Sequence, residues 1–297
     1  MGRGTVLVES PSVERRCRAL EAKTRLDLAT VDDAIAAIRH PAQLRDRLGD
    51  AVLYAQRVEA EVAQLPIDLA LPHDPDSYLG RFLRVWTPDE SGHGDAQARL
   101  LAFLGLPVPV ASTDDWLAAH LAWLLSTAST RTYDVVLMTY LTVGAMNEKL
   151  AMTAYQVMAS VAAGIGEHEL AEVLFDPMRH DESLHLGYYR THARELGKVL
   201  RPWQRWLVRT LIVRTYAPVG ARRAAHKPSL GRTLMALEDN PDDPAIASLT
   251  QAIAEDVIGR AGRPLPPFVR EAMAACVAAA RTTTDAEATP GPAPAAA

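Results

Sequence analysis

The unit Asp-Glu-x-x-His occurs twice in this chain, as Asp89-Glu90-Ser91-Gly92-His93 and as Asp181-Glu182-Ser183-Leu184-His185. Each copy lies in a stretch of helical periodicity, where residues three apart share a face. Each Glu and His can therefore aim a carboxylate oxygen and an imidazole nitrogen at one point. A single pair arises by chance in many helices, and an isolated His93 or His185 would ordinarily be a hydrogen-bonded, partly buried histidine. Two pairs constrain the fold much more strongly. In a bundle, the arrangement that satisfies both is one in which two helices supply Glu-x-x-His, two others supply one Glu each, and two metal ions sit between them.

The rest of the chain offers both single acids. Glu148 is the one acid between Val135 and Ala163, in "LMTYLTVGAMNEKLAMTAYQVM". Burying a carboxylate there costs several kcal/mol unless it is paired or bound to a cation. An ion pair with Lys149 is a poor solution, because adjacent residues point to different faces. The fourth acid belongs in "AVLYAQRVEAEVAQLP". Glu59 shares a stripe with Val52, Ala55 and Val62, whereas Glu61 falls with Tyr54, Arg57 and Leu65. The facial argument selects Glu59 and keeps Glu61 as the alternative.

Both pairs are preceded by an acid. Metal-bound histidines usually pass their second N–H to a carboxylate, so a crossed arrangement is expected, with Asp181 holding His93 and Asp89 holding His185. Four carboxylates and two histidines form a hard-to-borderline donor set that suits iron or manganese and lacks the thiolates of structural zinc. Two cations balance the four carboxylates, with Glu148 and a second carboxylate expected to bridge them. Storage and a di-manganese centre fit the same donors.

The stretch "WTPDESGHGDA" has a competing local reading. Thr87 as N-cap, Pro88 as the first helical residue and Glu90 as its partner make a capping box. Gly92 and Gly94 cost about 1 kcal/mol each in a helix relative to Ala, and the sequence gives them no role.

Helical periodicity extends along most of the chain, and sustained period-2 alternation appears nowhere. Prolines and glycines predict helices over about 12–23, 31–65 with a re-phasing at Pro41, from Pro75 to before Pro107, from a cap at Ser112 or Thr113 to Leu125, 132–163 closed by Gly164 to Gly166, and 167–197 interrupted by Pro177. With 48% hydrophobic and 6% aromatic residues in 297, the expected fold is all-α: a ferritin-like four-helix bundle with flanking helices. One domain is expected over 1–280, with the bundle at about 48–196 and further helices over 200–280. The Pro/Ala-rich stretch 281–297 is expected to be a disordered tail.

A net charge of -5 and a pI near 6.0 argue against nucleic acid as a partner. Val135 to Met146 is too short to span a bilayer. Cys17 and Cys276 sit in no paired motif, and the N-terminus lacks an apolar leader, so a cytoplasmic location is expected. No nucleotide-binding fingerprint or nucleophile elbow is present. The segment "RPWQRWLVRTLIVRTYAPVGARR" places Arg201, Arg205, Arg209 and Arg214 beside Trp203 and Trp206. It reads equally as a docking helix for an acidic partner or as a helix whose Trp face joins the core.

From Leu48 to Arg194 the chain resembles the soluble acyl-[acyl-carrier-protein] desaturases, a ferritin-like di-iron family. "RVWTPDESGHGDAQ" is similar to that family's Trp-Thr-x-Glu-Glu-x-x-His-Gly-Asp segment, "NEKLAM" to its single-Glu helix and "RHDESLH" to its second Glu-x-x-His segment. The resemblance implies Glu59, Glu90, His93, Glu148, Glu182 and His185 as ligands of two iron ions. It also implies an acyl chain carried as a thioester on acyl carrier protein, reduced ferredoxin as electron donor, O2 as oxidant and a homodimer. The chain departs from the family in four places. The family's first ligand aligns with Tyr54, its Thr one turn after the lone Glu aligns with Ala151, Pro177 interrupts a regular helix, and Ser91-Gly92 replaces larger polar residues. Hydroxylation in place of desaturation, another di-iron oxidase reaction of secondary metabolism and a non-enzymatic iron-binding role all remain open at this point.

Overall fold

The computed structural model describes residues 10–63, 71–109, 124–219, 221, 224–260 and 263–288. Among these the chain is all-α, with eleven α-helices and no strands. They are α1 (Pro11–Glu21), α2 (Leu28–Ala36), α3 (Pro41–Ala63), α4 (Tyr78–Phe103), α5 (Thr130–Ile165), the single turn α6 (His168–Leu170), α7 (Asp176–Val199), α8 (Pro202–Thr215), α9 (Lys227–Leu237), α10 (Ala245–Ile258) and α11 (Phe268–Ala288). No helix among the described residues is long and apolar enough to cross a membrane.

Four long helices carry the site. α3 packs on α4, α5 on α7, and the two pairs meet through α3–α5 and α4–α7 contacts. α1 lies across α4 and α7, while α8 and α10 cover α5 and the α9–α11 pair closes over α3.

The apolar core of this bundle is divided in two. One half gathers Phe82, Trp86, Leu141, Met146 and Tyr188. The other gathers Leu48, Val52, Leu100, Tyr155 and Met178. On α4, α5 and α7 the break between the halves falls where the sequence places the acids and histidines. A polar layer thus crosses the bundle at one level.

The local signals have physical readings that partly correct the sequence. α4 starts at Tyr78, with Ser77 Oγ accepting from Gly80 N–H at 3.2 Å. Thr87 is therefore not an N-cap, and Pro88 lies inside the helix. Gly92 would meet nothing within 4 Å if it carried a Cβ, and Gly94 would make ordinary contact at 3.5 Å with Glu59 on α3, so packing does not demand either glycine.

α5 ends as expected at Gly166, whose φ of 102° is the left-handed conformation that favours glycine. Pro177 does not break the chain leading to Glu182. It sits in the first turn of α7, directly after a π-helical turn, Ala171–Phe175, and the wider turn accommodates a residue without an N–H. α11 continues to Ala288, past the expected start of the tail at 281. On α8 it is Gln204, Val208 and Ile212 that are buried, while Trp203 and Trp206 are 43% and 57% exposed, so the Trp face does not join the core. The expected cap at Ser112 or Thr113 lies outside the described residues, as does the rest of the tail.

Candidate metal centre

Six side chains from α3, α4, α5 and α7 converge in the polar layer. Glu59, Glu90, His93, Glu148, Glu182 and His185 are all buried, and they form two overlapping groups. Glu59, Glu90, His93 and Glu182 bring one donor atom each within 4.8 Å of one another, and Glu90, Glu148, Glu182 and His185 do the same. Glu90 and Glu182 belong to both groups. These two are the glutamates of the Glu-x-x-His pairs, and Glu148 belongs to one group only. Glu59 and Glu148 occupy equivalent outer places, each beside one histidine.

The choice between Glu59 and Glu61 follows from the face of α3. Glu59 is 3% exposed and in the cluster. Glu61 lies 3.9 Å from Arg57 one turn back and takes no part. Tyr54, where the family resemblance aligned a ligand, gives its hydroxyl proton to the Val219 carbonyl.

The crossed aspartate arrangement is present. His93 Nε2 lies 3.2 Å from Asp181 Oδ2, and His185 Nε2 lies 3.1 Å from Asp89 Oδ2. With Nε2–H given to an aspartate, each ring turns its Nδ1 lone pair toward the cluster. There His93 Nδ1 is 3.1 Å from Glu182 Oε1, and His185 Nδ1 is 3.3 Å from Glu90 Oε1 and 3.2 Å from Glu182 Oε2.

A lone pair facing carboxylate oxygens at that distance is repulsive unless a proton or a cation lies between them. Two donor atoms each about 2.1 Å from one cation, at right angles, are about 3.0 Å apart. Buried His93 Nδ1, Glu90 Oε1 and Glu182 Oε1 also lack any hydrogen-bond partner. The residues fit metal ions, and the cluster can hold them.

Four neighbours are invisible in the sequence pattern. The Trp86 indole N–H donates to Glu148 Oε1 at 3.2 Å. The Tyr155 hydroxyl donates to Glu59 Oε1 and itself accepts from Gln97 Nε2 at 2.8 Å. The fourth is Lys23, which contacts both aspartates. Ala151 lines a narrow, almost wholly apolar cavity of about 50 Å³ beside Glu59 and Tyr155, with Val58, Ala154 and Met158. Thr153 turns away and bonds to the Lys149 carbonyl at 2.8 Å.

Without cations the layer is electrostatically poor. Burial, with Glu90 and Glu182 close by, pushes Glu59 well above the usual carboxylate range, and burial with Glu182 and Glu90 does the same to Glu148. Burial alone would push Glu182 up as well, but the His185 and His93 imidazoles beside it hold it well below that range. Burial opposes the charged form of His93, yet Asp181 and Glu182 outweigh it and raise its pKa to about 9.

These directions fix a pH dependence. Groups raised on folding stabilise the metal-free protein below their unfolded values and lose that contribution as pH rises through the folded ones. For His93 the window runs from 6.5 to about 9, and for Glu59 and Glu148 it begins at 4.5. The contribution of Glu182 is lost only below 4.5, outside the neutral range. Metal binding displaces protons and tightens as pH rises. The difference in melting temperature between Mn(II)-loaded and metal-free protein is therefore expected to widen from pH 6.5 to 9; a constant or narrowing difference would contradict this charge assignment.

Comparison of the chain with family models, with curated proteins and with solved structures gives no match.

Proposed function

We propose that this protein is an O2-dependent di-iron oxidase of acyl thioesters, desaturase-like in class. The supporting observation is the pair of overlapping donor groups that share Glu90 and Glu182, each completed by one histidine with a crossed aspartate. A site made only to carry one structural ion needs neither two groups nor two shared carboxylates. When bound there, a pair of iron ions supplies the means to activate O2 for hydrogen removal from an unactivated C–H bond.

The chain's own residues do the rest. Asp181 and Asp89 hold the Nε2 protons of His93 and His185, fixing both tautomers. Tyr155 and Trp86 orient the outer glutamates from opposite sides of the layer. The two apolar core halves keep water from the reacting centre. The cavity against Glu59 and Ala151 is small, but its almost wholly apolar lining offers little to a free amino acid, which favours an acyl chain over an amine substrate. Reducing equivalents come from a ferredoxin-type donor, and the acyl chain is presented on acyl carrier protein or another thioester carrier. The arginines of α8, with Trp203 and Trp206 exposed among them, suit an acidic carrier.

The rival reading is a ferritin-like protein that binds iron without turning over a substrate. Fe(II)-loaded protein is to be given O2, chemically reduced ferredoxin and acyl thioesters of graded length, with products read by mass. Loss of two hydrogens from the acyl chain is the expected result, and gain of one oxygen would make the enzyme a hydroxylase. O2 consumption unaffected by every thioester, with no product, would leave the iron-binding reading.

A further inference from the structure

Lys23 belongs to neither metal motif, yet among the described residues it is the one ammonium that reaches both. It follows α1, which Arg81 of α4 ties down through Glu14 at 2.6 Å and Glu21 at 2.8 Å. From there the side chain turns inward and is only 5% exposed. Its Nζ lies 3.0 Å from Asp89 Oδ2 and 2.8 Å from Asp181 Oδ1. Asp89 uses that same oxygen for His185, while Asp181 uses its other oxygen for His93. One buried cation therefore stands at the head of two chains of contacts, Lys23–Asp89–His185 and Lys23–Asp181–His93.

A buried ammonium persists only when paired, and here the pairing is double. The aspartates gain as much as the lysine. Without a positive charge between them, two buried carboxylates would face each other as like charges and swing apart, each away from the imidazole N–H that it holds. The two rings come from different helices, α4 and α7, and Lys23 is a contact that their two aspartates share.

We propose that Lys23 is a positioning residue for both metal positions at once. It fixes Asp89 and Asp181, and through them it aims Nδ1 of His185 and of His93 at the shared glutamates. The proposal rests on the metal-centre reading above. It adds that the two positions are coupled through a residue that touches neither ion.

The test is an anaerobic Co(II) titration of the full chain followed by optical absorption, with Co per chain counted after gel filtration. Loss of a partner that orients a ligand from behind typically weakens metal binding about 10–100-fold. Lys23→Gln is therefore expected to weaken both ions by about 10-fold or more, and Asp89→Asn to weaken mainly one. Lys23→Arg, which keeps the charge, recovers the affinity. Lys23→Met, apolar and of similar length, is the second variant should Lys23→Gln fail to fold.

A separate readout follows the histidines themselves. In the Co(II)-loaded wild type each Nε2–H gives a hyperfine-shifted proton signal, and both signals are expected to move in Lys23→Gln or Lys23→Met. A general loosening of the fold would lower the melting temperature without moving them. Unchanged or tighter binding of both ions, or loss at one position alone, overturns the proposal while leaving the metal centre standing. A wild type that binds no Co(II) overturns the metal-centre reading and this proposal together.

Discussion

Glu148→Gln is expected to change the stability of the protein in opposite directions with and without metal. In the metal-free chain Glu148 is 6% exposed, and burial with Glu182 and Glu90 nearby already drives it toward the protonated form. Glutamine keeps the size, leaves an acceptor for the Trp86 indole N–H and is uncharged without having to take up a proton on folding. Relief of that kind is worth on the order of 2 kcal/mol, so the metal-free melting temperature rises. A ligand present at 100 times its dissociation constant stabilises the native state by about 2.7 kcal/mol. The variant loses that gain at the position Glu148 completes. A thermal melt with and without Mn(II) reads both effects. A metal-free variant less stable than wild type would mean that the Glu148 carboxylate is a structural anchor and not a ligand.

The second large effect lies away from the site. Gly231 on α9 faces α11 so closely that a Cβ would come 2.1 Å from the Cys276 carbonyl oxygen and 2.7 Å from Ala280 Cβ. The nearest obstacle is backbone, so no side-chain rotation relieves it. Overpacking of this kind costs about 1–3 kcal/mol and occasionally more. Gly231→Ala is expected at the upper end, about 3 kcal/mol, which lowers the melting temperature by roughly 6 °C or more in a chain of this size. Gly92→Ala is the natural control, since the space beside Gly92 is open and alanine is the better helix former. Equal melting temperatures for the two variants would show that α9 and α11 are not packed at this distance.

The parts of the site legible in the sequence are those fixed by one helix at a time. Glu90 and His93, or Glu182 and His185, share a face because 3.6 residues make a turn, and that holds before any tertiary contact forms. Glu148 stood out because an apolar helix has no reason to carry a lone acid. The facial argument for Glu59 works for the same reason: Glu59 is buried, while Glu61 lies beside Arg57.

Lys23, Trp86, Gln97 and Tyr155 were not legible, because each owes its place to a contact between elements far apart in sequence. Lys23 is 66 residues from Asp89 by numbering, and Tyr155 meets Glu59 across a separation of 96. Nothing in their neighbourhoods distinguishes a tyrosine of the core from one that orients a ligand.

Local chemistry also misled where tertiary packing prevailed. Thr87, Pro88 and Glu90 have the composition of a helix start, but the helix is already nine residues old at Thr87 when counted from Tyr78. Burial of Phe82, Leu83 and Trp86 against α5 and α7 holds the preceding turns in place and outweighs the hydrogen bond that Pro88 cannot make. Pro177 is absorbed by the π-helical turn before it, a device that a proline in a sequence does not announce. That Glu90 and Glu182, and not Glu148, belong to both donor groups was hidden for a related reason. Sequence shows which residues reach the layer but not which of them stand between its two halves.

The most direct measurement is a metal count after anaerobic Fe(II) reconstitution of wild type, Glu148→Ala and His185→Ala. The donor groups predict about two irons per chain in wild type, with loss of tight binding in both variants because Glu148 and His185 complete the same group. A wild type that retains no iron would contradict the account at its centre.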